Sequence, residues 1–477
     1  MLPNIDRTSE EPIRRQIYQQ LRTQILNGTL RQGEALASTR QMAIDLAVSR
    51  STVVEAYDML LAEGFLESRQ GSQTVVANGI AMEFYAKPAE QTKLEIKREI
   101  LADFTTGRPD LISFPRTQWN RLLQQAAQTL SAEDYGYTGP QGYAPLREEI
   151  AAWLSRSRGI AVSAEDVFIT AGATHALRIL ADLLCGAGGR VMLEDPCHKG
   201  LFDTLIAGNC EIVPVPADDY GMQTDLLTGD AHVQMIYVTP SHQFPLGGIL
   251  PASRRAALIR YAREQGIYVV EDDYDSEFRF AGAPISPLVS MDAERVIYVG
   301  TFSKTLFPAL RIGYAILPKE LQSRWRYLRT HHDVQNPILE QAAIAMLLHS
   351  RAFDRHIRAM RARYAKRRQA MVTAMQTQFG ESCVICGDAA GLHLAIQIKG
   401  HSFKEDFQEF CLSRGIVIKS MEQHSIIKQK HMDQLVLGYG HLEPDQITRG
   451  IKLLRESISE YKLSGINRNE VDVASDE

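Results

Sequence analysis

No stretch of the 477 residues approaches the roughly 20 consecutive apolar positions that a membrane-spanning helix requires. The start, "MLPNIDRTSE", has no basic segment leading into an apolar one, so it does not read as a secretory signal. Cysteine is sparse, with six scattered residues, and a reducing cytoplasm is the simplest compartment. One pair, Cys383 and Cys386 in "CVIC", has metal or redox spacing. No second Cys/His pair follows at a zinc-ribbon distance and the flanks read as a strand, so a structural role is expected. Excess positive charge is also missing: the formal net charge is -5, which excludes a generally polyanion-binding surface and confines any nucleic-acid contact to a local patch.

At this length, with 45% hydrophobic and 23% charged residues, the chain should divide into two or three soluble domains. The first 77 residues follow one pattern. "PIRRQIYQQLRTQILNG" puts Ile13, Ile17, Leu21 and Ile25 on one helical face between a starting proline and a stopping glycine. Ser38 can cap a short second helix, and Ser49 can cap a third, "RSTVVEAYDMLLAEG", ending at Gly64. "FLES" and "TVVA" flank "RQGSQ" as a hairpin would.

Three helices and a hairpin predict a winged helix-turn-helix, whose third helix would enter the major groove of double-stranded DNA. Arg40, Ser49, Arg50, Ser51 and Thr52 offer the donors, and a wing tip at Gln70 and Gly71 could approach the backbone. The alternative is a helical dimerisation module with incidental arginines. Eight Arg against nine Asp/Glu over residues 1–76 give DNA no support from net charge, so the expectation rests on the pattern.

Residues 78–104 turn polar and charged and read as a linker. From 105 to 465, amphipathic segments alternate with the apolar runs "DVFITAG", "RVMLED", "MIYVTP", "IYVVEDD", "RVIYVG" and "GYAILP", which predicts an α/β domain with a mostly parallel sheet. The polar tail 466–477 is expected to be disordered. The basic segment Arg351–Arg368 reads as a solvated face partly paired with acidic neighbours, with contact to flanking DNA as the alternative.

Four pieces of the large domain complement one another. "TAGATHALRIL" leaves backbone N–H groups at a strand-to-helix turn, a seat for a phosphate. "VVEDDYDSEF" places Asp272 and Tyr274 beyond a strand, where ligands bind in open α/β sheets. Lys304 and Arg311 follow another strand end in "RVIYVGTFSKTLFPALRIGY". A buried lysine can form an imine with an aldehyde, and an aspartate can hold a pyridinium nitrogen protonated. Hydroxyls and an arginine can hold a phosphate, and together these groups describe a pyridoxal 5'-phosphate site.

"VSRSTVVEAYDMLLAEGF", "TPSHQFPLG", "EDDYDSEFRF", "GTFSKTLFPALRIGY" and "HIRAMRARY" resemble, in this order, the MocR/GabR type of bacterial transcription regulator. These fuse a GntR-type winged helix to a domain similar to fold-type I aminotransferases. The resemblance implies that Lys304 bonds the cofactor, Asp272 meets its ring nitrogen and Tyr274 its 3'-oxygen, while Gly172, Ala173, Thr174, Ser303 and Arg311 hold the phosphate. Tyr137 would reach the phosphate of a neighbouring subunit, and His198 would stack on the ring in place of the more usual tyrosine. It also implies a head-to-tail homodimer with each winged helix on the partner's large domain.

Two further departures stand out. Leu36-Ala37-Ser38 replaces the common Leu-Pro-Ser before the second helix. His441 stands where the resemblance places an arginine that clamps an effector's carboxylate, and a mostly neutral imidazole is a poor substitute for a guanidinium. The expected function is therefore transcription regulation with pyridoxal phosphate itself as effector, as in members that control vitamin B6 synthesis. The alternatives are a sensor of an amino acid such as D-alanine or GABA, and an active aminotransferase with an appended DNA-binding module. Sensing, rather than turnover, is expected of the large domain.

Overall fold

A computed structural model describes residues 2–68, 73–79, 99–227, 229, 232–280 and 282–463. The chain forms two compact units, Met1–Ile96 and Lys97–Glu477.

In the first unit, α1 (Ile13–Leu26), α2 (Thr39–Asp45) and α3 (Arg50–Ala62) precede an antiparallel pair, β1 (Leu66–Glu67) and β2 (Val75–Val76). The fourfold spacing on α1 buries Ile17, Leu21 and Ile25 against Val53, Ala56 and Leu60 of α3. The Ser38 hydroxyl accepts from Gln41 N, and the Ser49 hydroxyl from Thr52 N, so both predicted caps close their helices. Gly64 ends α3 at φ +76, a conformation that disfavours any residue with a Cβ. Gln70 and Gly71 lie outside the described residues, as do most of the linker and the tail from 464.

The second unit begins before residue 105. β3 (Ala102–Asp103) pairs with a late strand, and Phe104 is fully buried. Helices α4 (Arg116–Thr129) and α5 (Ala144–Arg158) lead into a sheet interleaved with helices. Its parts are β4 (Val167–Thr170), α6 (Ala173–Leu180), β5 (Arg190–Asp195), α7 (Lys199–Ala207), β6 (Glu211–Asp218), β7 (Gly221–Met222), β8 (Met235–Val238), α8 (Ala252–Gln265), β9 (Tyr268–Asp273), β10 (Val296–Thr301) and β11 (Gly313–Ile316). The sheet order is β4-β11-β10-β9-β8-β5-β6-β7. β11 runs antiparallel to both neighbours and β7 to β6, and the other pairings are parallel.

All six apolar runs marked in the sequence are strands of this sheet. Alternate residues face opposite layers: Val270, Ile297 and Val299 pack with Leu177 and Leu201, whereas Val269, Val296 and Tyr298 pack in the other layer with Phe353 and Ile357. Both faces are covered, which is why these strands read as nearly unbroken apolar runs.

Helices α9 (Lys319–His332), α10 (Ile338–His349) and the 28-residue α11 (Ala352–Phe379) then carry the chain to a smaller antiparallel sheet. Its order is β12 (Cys383–Cys386), β13 (His393–Ile398), β16 (Gln434–Gly438), β15 (Lys419–Ser420). α12 (Glu405–Ser413), β14 (Ile416–Val417), which is the partner of β3, and α13 (Pro444–Leu463) complete the unit. Cys383 and Cys386 are free thiols within a strand, and burial pushes both up to about 11.

Candidate functional site

The carboxyl ends of β4, β9 and β10 open into one cavity of about 220 Å³. Its lining includes Ala173, Thr174, His198, Asp272, Tyr274, Ser303, Lys304 and Arg311, so residues far apart in sequence meet at the edge where a parallel sheet presents ligands.

Lys304 follows β10 directly and donates from Nζ to the Gly107 carbonyl at 2.8 Å. A Cβ on Gly107, whose φ is +75, would lie 2.9 Å from that nitrogen and would push the amine from this position. Burial lowers the lysine below its ordinary range, and Arg311 adds to the effect, while Asp275 and Asp272 oppose it. More neutral amine is therefore present near pH 7 than on a surface lysine.

Asp272 ends β9 almost fully buried. Its Oδ2 accepts from the Tyr237 hydroxyl at 2.6 Å, while Oδ1 is buried with no hydrogen-bond partner. Burial pushes this carboxyl up to about 7, so the site has desolvated an acceptor and left one oxygen for a donor that a protonated ring nitrogen would supply. Tyr237 is not conspicuous in the sequence. It matters because β8 lies beside β9, pairing Tyr237 with Val270, two residues from the aspartate.

The phosphate seat is built at the start of α6. Gly172 has φ +91, and a Cβ on it would meet the Arg311 guanidinium at 3.1–3.3 Å. That guanidinium donates to the Ala171 carbonyl at 2.6 Å, held there by the left-handed backbone of Arg311 itself, φ +50. The first-turn N–H groups of Ala173 and Thr174 have no intrahelical acceptor, and the Ser303 hydroxyl is held by Thr301 Oγ1 at 3.0 Å. An anion here meets a guanidinium, amides and a hydroxyl. The donor set thus fits pyridoxal 5'-phosphate at amine, ring nitrogen and phosphate.

Other expected residues fall into place differently. The Tyr274 hydroxyl lies in the cavity but is engaged by the His242 carbonyl at 3.0 Å and His242 Nδ1 at 3.1 Å. His198 caps α7, accepting from Leu201 N, and tilts against Phe244 with ring centroids 5.2 Å apart. Burial, then Lys304, lowers its basicity. Tyr137 is 89% exposed and outside its own chain's cavity.

His441 also stands outside the lining of the cavity. It follows β16, next to the Gly440 carbonyl that Arg367 binds. Phe244, Asp275 and His393 line the cavity without having been singled out; the first two follow β8 and β9, and His393 comes from β13 of the smaller sheet.

In the winged helix, Arg40, Ser49, Arg50 and Ser51 are exposed and Thr52 is half-buried, so the start of α3 presents its donors to solvent. Most of the basic segment is exposed, with Arg351, Arg355, Arg358, Arg361, Arg363 and Lys366 in solvent, and only some of its side chains are tied to the large unit. Arg367 is buried against Asp110 and Glu443, Arg368 binds Asp388, and Arg361 donates to the Glu277 carbonyl.

Residues 13–76 match the bacterial regulatory proteins, gntR family, and residues 103–426 match aminotransferase class I and II. The chain is similar to a kynurenine aminotransferase of Pyrococcus horikoshii solved in complex with PMP, at 25% identity and TM-score 0.70, over 76% of this chain and 92% of that one. It is 33% identical to the probable rhizopine catabolism regulatory protein MocR of Rhizobium meliloti over 97% of both chains. It is also 34% identical to the pyridoxine biosynthesis regulator PdxR of Corynebacterium glutamicum, over 74% of this chain and 76% of that protein.

A gntR-type winged helix ahead of a fold-type I aminotransferase domain defines a DNA-binding regulator built on a pyridoxal 5'-phosphate scaffold. The chain belongs to the MocR family of HTH-type transcriptional regulators, and its cofactor is pyridoxal 5'-phosphate. Among the described residues, no helix is long and apolar enough to cross a membrane.

Proposed function

We propose that pyridoxal 5'-phosphate is the effector as well as the cofactor, and that its occupancy sets the affinity or geometry of operator binding. The observation that carries this reading is the charge of the cavity. Among the described residues, Lys304 and Arg311 are the only lysine and arginine on its lining, and both are assigned to the cofactor. Burial keeps His198 and His393 from ready protonation. An ordinary amino acid would find no guanidinium for its carboxylate, while the acidic Glu194, Asp272 and Asp275 share the lining. The printed role of the Corynebacterium relative, pyridoxine biosynthesis regulation, points the same way.

Bound pyridoxal phosphate supplies an aldehyde for an amine and a ring that withdraws electrons. Lys304 presents a desolvated amine from the end of β10. The free Oδ1 of Asp272 holds the proton of the ring nitrogen, with Tyr237 fixing the carboxylate's other oxygen. Gly172, Ala173, Thr174, Ser303 and Arg311 would seat the phosphate, His198 would hold the ring and Tyr274 the 3'-oxygen. Tyr137 serves the phosphate of a neighbouring subunit in a head-to-tail homodimer. Arg40, Ser49, Arg50, Ser51 and Thr52 meet operator DNA. Sustained transamination is not its work, since an unclamped amino acid loses the orientation that turnover requires.

The test is an absorbance titration with pyridoxal phosphate beside an operator-binding assay, repeated with D-alanine, GABA and other amino acids. The expected result is a cofactor band that resists amino acids and tracks a change in DNA binding. Multiple turnovers at enzyme-like rates, or DNA binding that responds to an amino acid and ignores the cofactor, would overturn the reading.

A further inference from the structure

A second cavity, of about 240 Å³, lies in the large unit between the end of α5, the segment after β9 and α11. It shares no lining residue with the cofactor cavity. The alternation of β9 explains the separation: Asp272 serves one face of the sheet, and Asp273 holds Arg158 on the other, with Arg158 Nη2 at 2.5 Å from its Oδ2.

Four arginines, Arg158, Arg279, Arg358 and Arg361, line this second cavity against two carboxylates, Glu277 and Asp354. Four polar atoms around this space are buried and have no hydrogen-bond partner: Arg158 Nε, Arg279 Nε, Arg279 Nη1 and the Ser276 hydroxyl. Every one can donate, and a buried donor of a charged group without an acceptor is costly.

The countercharges nearby are already engaged or weakened. Asp273 takes Arg158 and the Tyr298 hydroxyl, and Asp354 pairs with Arg351. Burial, then Asp273, pushes the Glu277 carboxyl up, so it carries less negative charge than a surface glutamate. Among the described residues Arg279 and Arg358 have no ion pair. Gly282 contributes by omission, since a Cβ there would lie 2.9 Å from Arg279 Nη2.

We propose that this cavity is a second ligand site, binding a small phosphate-bearing anion such as inorganic phosphate or a phosphate monoester. A tetrahedral dianion offers acceptors in several directions, which suits guanidinium groups converging from α5, the post-β9 segment and α11 together with one hydroxyl. A carboxylate offers two oxygens in one plane and would leave donors unmet.

The experiment is calorimetric titration of the full chain, loaded with pyridoxal phosphate, with inorganic phosphate at constant ionic strength. With the cofactor's own phosphate filling the seat at Arg311, the added anion reports the second site. Saturable binding is expected, weakened about tenfold or more in Arg279→Gln and in Arg358→Gln. An unchanged cofactor band and melting temperature show that each variant folds, and exposed Arg358 carries the test if Arg279→Gln does not fold. No saturable binding, or equal binding by wild type and both variants, would overturn the proposal. Displacement of phosphate by operator DNA would also overturn it, because the donors would then serve a duplex backbone instead of a small molecule.

Discussion

In the winged helix the side chains offered to DNA, Arg40, Ser49, Arg50 and Ser51, stand in solvent, whereas in the large unit Asp272 and Ser303 are buried and Lys304 is largely enclosed. The two regions handle polar groups in opposite ways. At the start of α3, hydroxyls and guanidinium groups keep their hydration until a phosphate or base edge replaces it, and the fold need supply only a rigid, capped helix. In the cofactor cavity the fold has already stripped much of the hydration from its charged side chains. Asp272 and Lys304 are thereby shifted toward their neutral forms, and the orphaned Asp272 Oδ1 has an acceptor site to fill. The first region holds its chemistry on two neighbouring helices, α2 and the start of α3. The second assembles it from several strand ends, and its properties do not belong to any one of them.

This contrast predicts that the two regions break independently. The largest effect should come from Lys304→Ala: the cofactor absorbance band is lost and cofactor affinity falls by about a hundredfold or more, since the covalent link and a buried amine go together. Operator binding by the cofactor-free protein should stay close to wild type. A parallel collapse of cofactor-free DNA binding would show that the regions are not separable.

Next is Asp272→Asn, read as stability against pH in cofactor-free protein. Its carboxyl, near 3.9 when unfolded, is held up to about 7 when folded, so the folded state carries the extra proton between those values. Stability should therefore fall as pH rises from about 4 to about 7, by a few kcal/mol, and the asparagine variant should lose that part of the slope. Glu194 and Glu271, also pushed up to about 7, remain in both proteins and cancel in the difference. Adding pyridoxal phosphate should flatten the wild-type slope, because a cationic ring nitrogen favours the carboxylate. Identical curves for the two proteins would remove Asp272 from this role.

Arg50→Ala tests the exposed region. A loss of roughly 1–3 kcal/mol in operator binding is expected if the guanidinium reads a base, with the cofactor band untouched. Footprinting on single-base operator variants would separate base reading from phosphate contact. Smallest is Ser49→Ala, which removes the acceptor for Thr52 N and should lower the stability of the winged helix by about 1 kcal/mol, measured as a shift of its melting transition.

Much of the fold could be read because its signals are local. Fourfold apolar spacing marked α1, serines marked the caps of α2 and α3, and short β-branched runs marked six strands of the large sheet. Lys304 and Asp272 were legible for a related reason, since both follow a buried strand and parallel strands present such residues along one edge. The surroundings of His441 were not legible, because motif spacing counts residues along a strand and cannot show which way the turn after Gly438 leads. Tyr237 escaped notice because a tyrosine inside an apolar run looks like core until the neighbouring strand proves to be β9.

The sequence by itself determined the two-part architecture, the winged helix with its capped third helix, and the candidate lysine, aspartate and phosphate seat, since each depends on periodicity or on a short turn. Only the tertiary structure decided what those residues experience. Burial shifts Lys304 and Asp272, Tyr237 occupies one carboxylate oxygen and leaves the other, and among the described residues Arg311 is the one arginine on the cavity's lining. Likewise, Arg158, Arg279, Arg358 and Arg361 are unremarkable where they stand in the chain. Their convergence, and the missing acceptors that go with it, arise from packing α5, the segment after β9 and α11 together, because desolvation and charge depend on distances in space that residue spacing does not encode.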